Sequence, residues 1–207
     1  MPAESMFGYV FKGGIFMYPI LVCSIISLAI FLEKSRVLQR RRVIPQGFLT
    51  DFEHLLRAEK IAQALELCKD TDAPISRILS GGIKNYGKRR EVIKELIEEV
   101  GRREAAYLEK YVEALATIAN VATLLGLLGT IAGMIKIFGV IAQQALVNPS
   151  MLAGGISEAL YTTGAGLGVA IPTLIFYRII TGKADSLILE MEEYSLRMVE
   201  LIKEQRS

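Results

Sequence analysis

The chain has 207 residues, 52% of them hydrophobic, with a mean hydropathy of +0.38 and a formal net charge of +2, yet 22% of its residues are charged. This excludes a disordered chain, which requires low hydrophobicity. It also excludes a disulfide scaffold, given only 2 cysteines, and it disfavours a nucleic-acid binder unless the basic residues cluster.

High apolarity and ordinary charge coexist because they are segregated. Gly13 to Leu32, Ala114 to Ile135 and Ala159 to Tyr177 contain no charged residue. About 20 apolar residues cross ~30 Å of hydrocarbon at ~1.5 Å per residue, so each stretch is predicted to be a transmembrane helix. The first carries Glu4 and Lys12 ahead of it and no A-x-A site after it; it is expected to be retained and not cleaved as a signal peptide. Lys34, Arg36, Arg40, Arg41 and Arg42 follow the first span, the linker Ala142 to Ser157 has no Lys or Arg, and Arg178 and Lys183 follow the third. Basic flanks mark the cytoplasmic side. The N-terminus is therefore expected outside and the C-terminus inside. Cys23 then falls in the membrane and Cys68 in the cytoplasm, so no disulfide is expected.

The expected organisation is an N-terminal segment with the first span (1–33), a cytoplasmic helical domain (34–113), the second and third spans with a short outer linker (114–182), and a C-terminal cytoplasmic helix (183–207). Within the cytoplasmic block, Pro45 and Gly47 break the chain. Thr50 or Asp51 is expected to cap a helix from Phe52 to Cys68, with Phe52, Leu55, Leu56, Ala62 and Leu65 at helical spacing. Pro74 is expected to open the next helix, with Ile75, Ile78, Leu79 and Ile83 on one face and Gly87 beyond its end. A long helix then begins near Lys88, with Val92, Leu96, Val100, Ala106, Tyr107 and Tyr111 at helical spacing, and nothing stops it before the second span. Leu187, Met191, Leu196, Val199 and Ile202 give a further helix after the third span. Gly82 to Arg89 nearly fits G-x-x-x-x-G-K-[ST], but Arg89 replaces the hydroxyl residue and no strand precedes it, so an inter-helix turn is expected. His54 has no second ligand nearby. With no catalytic triad and no metal-spaced cluster, neither an enzyme nor a metal or other cofactor is expected.

The second span carries Ala119, Ala122, Gly126, Gly129 and Gly133, and the third Gly164, Ala165, Gly166, Gly168 and Ala170, with Pro172 expected to kink it. Small residues at three- and four-residue spacing let helix backbones approach closely in lipid. Thr130 and Thr163 fall at similar depth on antiparallel helices. Lys136 lies about 9 Å further out than Thr130, and Glu158 about 7–8 Å further out than Thr163. A charge within a membrane is costly unless paired or hydrated, so Lys136 and Glu158 are expected to pair or to line a hydrated outer vestibule. No carboxylate lies at mid-membrane. A proton path would need one from another chain, and three helices cannot enclose a pore alone. Both points predict an oligomer with a partner.

Gly126-Leu-Leu-Gly-Thr130-Ile-Ala-Gly133, then Gly155-Ile-Ser-Glu158-Ala-Leu-Tyr-Thr-Thr163-Gly-Ala-Gly-Leu-Gly168 and Ala170-Ile-Pro172, resemble the second- and third-span signatures of the MotA/TolQ/ExbB proton-channel family. Tyr18-Pro19-Ile20 and Leu32-Glu33-Lys34 also fit, and three spans suit its ExbB/TolQ branch. The resemblance implies an all-α integral membrane protein of the bacterial inner membrane with long cytoplasmic helices. It implies a ring, as a homopentamer, around two helices of an ExbD- or TolR-like single-span partner whose aspartate carries the proton. Thr130 and Thr163 would line the path, and Glu158 matches the family glutamate. Proton flow would turn the complex as a molecular motor and energise TonB or TolA. A non-conducting membrane scaffold that organises a partner protein is the alternative.

Overall fold

A computed structural model describes residues 13–143 and 149–204. The segment before Gly13, residues 144–148 of the expected outer linker and the last three residues lie outside it, as does the side chain of Ile202. Among the described residues all regular secondary structure is helical, without strands. The helices are α1 (Met17–Val37), α2 (Arg40–Val43), α3 (Gln46–Arg57), α4 (Ile61–Asp70), α5 (Pro74–Ile83), α6 (Arg90–Glu109), α7 (Val112–Gln143) and α8 (Pro149–Glu204). Three helical stretches, Met17–Val37, Arg90–Ala142 and Leu152–Leu201, are long and apolar enough to cross a membrane. The chain divides into two compact units. One holds the residues up to Leu32 with Tyr111–Arg178, and the other Glu33–Lys110 with the chain from Ile179 onward.

In the second unit, α5 follows the expected pattern. Pro74 opens it, since its missing N–H is one of the unpaired donors of a first turn. Ile75, Ile78, Leu79 and Ile83 are all buried. Gly87 sits in a turn with φ +96, so the phosphate-loop lookalike is a helix–helix connection.

Other expectations are corrected. The helix expected from Phe52 to Cys68 is two helices. Glu59 adopts φ +58, the Lys60 amide donates to Leu55 O at 3.0 Å and the Glu59 amide to Leu56 O at 2.9 Å. This is a Schellman ending with glutamate where glycine is usual. Thr50 and Asp51 cap nothing. The helix begins after Pro45, and the Thr50 hydroxyl donates back to Gln46 O within it. Of the apolar positions assigned there, Ala62 faces out; the buried places on α4 belong instead to Ala64 and Cys68. On α6 the buried positions are Ile93, Ile97 and Leu108, and Ala106 and Tyr107 face outward. The helix expected to continue from there into the second span instead breaks at Lys110–Tyr111, where Tyr111 has φ +65.

Ion pairs decorate this unit. Arg77 holds Glu104 in a two-pronged contact at 2.8 and 2.7 Å, and Asp72 at 2.7 Å. Arg40 pairs with Glu190. Arg57, and then Arg197, hold the Glu53 carboxyl below its ordinary range. These partly exposed pairs set register and contribute little net stability.

Candidate functional site in the helix pair α7–α8

The first unit is organised by a seam of small residues. On α7 these are Ala119, Ala122, Gly126, Gly129 and Gly133, continued by buried Ile137. On α8 they are Gly155, Ala159, Thr162, Gly166 and Ala170. Successive positions are three or four residues apart, which keeps one face of each helix toward the other. The register is antiparallel: Gly126 meets Gly166, Gly129 meets Thr162, Gly133 meets Ala159, and Ile137 meets Gly155. A Cβ at Gly166 would lie 2.6 Å from the Ala122 carbonyl oxygen and 2.9 Å from Gly126 Cα. These backbones are therefore as close as glycine permits, as lipid-embedded helices favour.

Of the glycines assigned to helix packing, Gly126, Gly129 and Gly133 lie in this seam. Gly164 and Gly168 do not, since a Cβ at either would meet open space within the chain. Gly166, Gly155 and Ala159 fill the equivalent places on α8. Spacing alone could not distinguish the two glycine faces of that helix. Helix α8 continues through Pro172. Proline has no N–H, so the helical bond to the carbonyl four residues back, that of Gly168, is not made.

The seam brings the two predicted threonines together. The hydroxyls of Thr130 and Thr163 are in direct hydrogen-bond contact. Thr163 Oγ1 lies 2.9 Å from Gly126 O, and Thr130 Oγ1 lies 3.4 Å from it. One consistent arrangement has Thr130 donating to Thr163 and Thr163 donating to Gly126 O. Both threonines are half-buried, so each has one side in the helix pair and one side open.

One to two turns along, Lys136 Nζ donates to Glu158 Oε2 at 2.9 Å. The side chains are 67% and 31% exposed, so the pair sits on the open side of the seam. Sequence reasoning did not anticipate what lies beside it. Gly14 adopts φ +68, and a Cβ there would lie 2.5 Å from Glu158 Oε1. Buried Thr162 Oγ1 lies 2.6 Å from Gly13 O and 2.9 Å from Glu158 O. The residues just before α1 thus cross directly over Glu158, which only a side-chain-free backbone allows. The Gly13-Gly14 doublet ahead of the first span was the available signal. Farther along, Phe31 stacks on Phe176 with ring centroids 4.0 Å apart.

Chemically, hydroxyls can relay a proton along hydrogen bonds but cannot hold net charge. From Ala114 to Tyr177 the sequence contains Glu158 as its one carboxylate and Lys136 as its one basic residue. No cluster of His, Cys, Asp or Glu among the described residues could hold a metal ion.

Comparison with known proteins adds independent support. A model of the MotA/TolQ/ExbB proton channel family matches residues 70–193. A protein of Synechocystis sp., described as an ExbB-like biopolymer transport protein, is 31% identical over 166 residues, covering 79% of this chain and 79% of its own. The Tol-Pal system protein TolQ of Haemophilus influenzae is 30% identical over 165 residues, covering 74% and 72%. The biopolymer transport protein exbB1 of Vibrio cholerae is 26% identical over 195 residues, covering 91% and 84%.

Proposed function

Because the chain belongs to the MotA/TolQ/ExbB proton channel family, we propose that it is the proton-conducting, ring-forming subunit of a bacterial inner-membrane complex that energises a TonB- or TolA-type protein. The family is one of membrane channels that drive transport and not a class of enzymes, and relatives carrying both ExbB and TolQ names support an energising role of this general kind.

The observation that carries the reading is the contact between Thr130 and Thr163. Two half-buried hydroxyls meet at one level of adjacent helices, in a stretch whose single carboxylate lies further toward the Lys136 end. Such a pair offers hydrogen-bond sites to a proton or a hydrated ion and leaves the charge-carrying step to a second chain. That chain is an ExbD- or TolR-like protein with one span and an aspartate, seated inside a homopentamer of the present chain. Lys136 and Glu158 form the outer vestibule, with Glu158 accessible and Lys136 neutralising it when no cation is present. The N-terminus is periplasmic and the C-terminus cytoplasmic.

The scaffold reading has its own supporting observation. Both hydroxyls also reach Gly126 O, a use that helix packing alone would explain. Thr163→Val separates the two readings. Valine keeps the shape and removes the hydroxyl, so a conducting role predicts loss of proton flux in liposomes with the complex still assembled. Unchanged flux would leave the scaffold.

A further inference from the structure

From Lys34 to Thr50 the chain carries five basic residues and no Asp or Glu. Two of them, Arg40 and Arg41, line an open cleft together with Lys183 and Glu190 of α8. The cleft lies wholly within the second unit. Its three cations and one carboxylate give it an excess of positive charge. The carboxylate is already engaged, since Arg40 Nε donates to both oxygens of Glu190 at 3.0 Å. Arg41 and Lys183 are exposed, and neither forms an ion pair among the described residues. Ser35 and Ser186 add hydroxyl donors to the wall.

The depth of these residues selects the kind of anion. Counted along α1, Ser35 lies three residues beyond Leu32, the end of the first charge-free stretch, which is about 5 Å at the helical rise. Counted along α8, Lys183 lies six residues beyond Tyr177, the end of the third, which is about 9 Å. The headgroup layer of a bilayer occupies roughly the first 5–7 Å outside the hydrocarbon, and a lysine stem lets its ammonium reach back toward that layer. Basic pockets at this level bind anionic headgroups. The cleft, of about 570 Å³, has room for one.

We propose that this cleft binds the headgroup of an anionic phospholipid from the leaflet on the basic side of the spans, with Arg41 and Lys183 as the charge partners of its phosphate. Arg40 is committed to Glu190 and shapes the wall. The inference rests on the spans lying in a bilayer and not on conduction, so lipid affinity and proton flux can fail separately.

The test is native mass spectrometry of the full-length protein in detergent, titrated with dioctanoyl phosphatidylglycerol, dioctanoyl phosphatidylcholine or inorganic phosphate. Phosphatidylglycerol is expected to bind at least about tenfold more tightly than phosphatidylcholine, whose choline brings a positive charge into a positive cleft. Arg41→Gln and Lys183→Gln are each expected to weaken phosphatidylglycerol about fivefold, and the double variant roughly thirtyfold. Lys60→Gln, exposed on the same unit and outside the cleft, is expected to bind like the wild type. Equal affinity for the two lipids would overturn the proposal, and this comparison needs no variant. Unchanged phosphatidylglycerol affinity in a folded double variant would overturn it too. Inorganic phosphate binding as tightly as phosphatidylglycerol would also overturn it, because the cleft would then be an ion site and not a lipid site.

Discussion

At the scale of single residues, two sites illustrate how surroundings set chemistry. The Lys136–Glu158 pair is partly exposed, so its direct contribution to folding is at most about 1 kcal/mol. Its value lies in keeping charge tolerable at the membrane level it occupies. Lys136→Ala and Glu158→Ala are each expected to assemble normally and to lower proton flux several-fold, read by native gels and dye-based flux. Wild-type flux in both would remove the vestibule role. Cys68, on α4, is governed by burial, which disfavours the thiolate and pushes its pKa up to about 12. Maleimide reacts with the thiolate, so alkylation at pH 8 is expected to be up to about three orders of magnitude slower in the native protein than in the unfolded chain. The sign of the linkage follows. The unfolded thiol ionises near 9.0 and the folded one near 12, so its contribution to stability is complete below the lower value and is lost as pH rises toward the upper one.

At the scale of helices, the seam between α7 and α8 makes a sharp distinction among glycines. Gly166→Ala would push a methyl group into the Ala122 carbonyl, a backbone atom that cannot swing aside. Overpacking of this kind costs about 1–3 kcal/mol, and a lowered melting temperature by circular dichroism is expected. Gly164→Ala meets open space within the chain, and its melting temperature is expected to stay at the wild-type value. If that variant nonetheless fails to form the complex, another copy or a partner packs on that face. A result in which Gly164→Ala destabilises the isolated chain while Gly166→Ala does not would contradict the seam.

The same elements show what could be read from the residues. Ile75, Ile78, Leu79 and Ile83 announced the buried face of α5 because their spacing follows the helical period and Pro74 marks the start. The depth arithmetic that aligned Thr130 with Thr163, and Lys136 with Glu158, worked because a membrane helix has a fixed rise. The breaks at Glu59 and Tyr111 were illegible because neither residue is one that left-handed backbone normally selects. The first is stabilised by its own Schellman bonds, and the second places an aromatic side chain where glycine is usual. The buried face of α6 was misplaced because Val92, Leu96 and Val100 are as apolar as Ile93 and Ile97, and only the packing partners distinguish the two sets. Thr162 was one threonine among several until Gly13 was found beside it.

At the scale of the whole molecule, the segregation of charge now has a physical counterpart. One unit is a nearly charge-free set of spans closed by glycine contact. The other is a helical body with an isoleucine- and leucine-rich core and a surface of ion pairs. The membrane unit lacks a mid-membrane carboxylate, so in the proposed assembly the partner supplies it. The energy available is ~2.3 kcal/mol per proton per 100 mV, small enough that several protons would be needed for each large mechanical step. The chain reconstituted without its partner is accordingly expected to conduct little.

The central claim is that the Thr130–Thr163 pair lines a proton path. The most direct measurement is proton flux into liposomes containing the chain co-purified with its single-span partner, compared between wild type and Thr163→Val after both are shown to assemble equally. The account predicts that wild-type flux is present and depends on the partner, and that Thr163→Val reduces it by at least about tenfold, the range in which a lost hydrogen-bonding group in a low-dielectric site is felt. Equal flux from the two assembled complexes would contradict it.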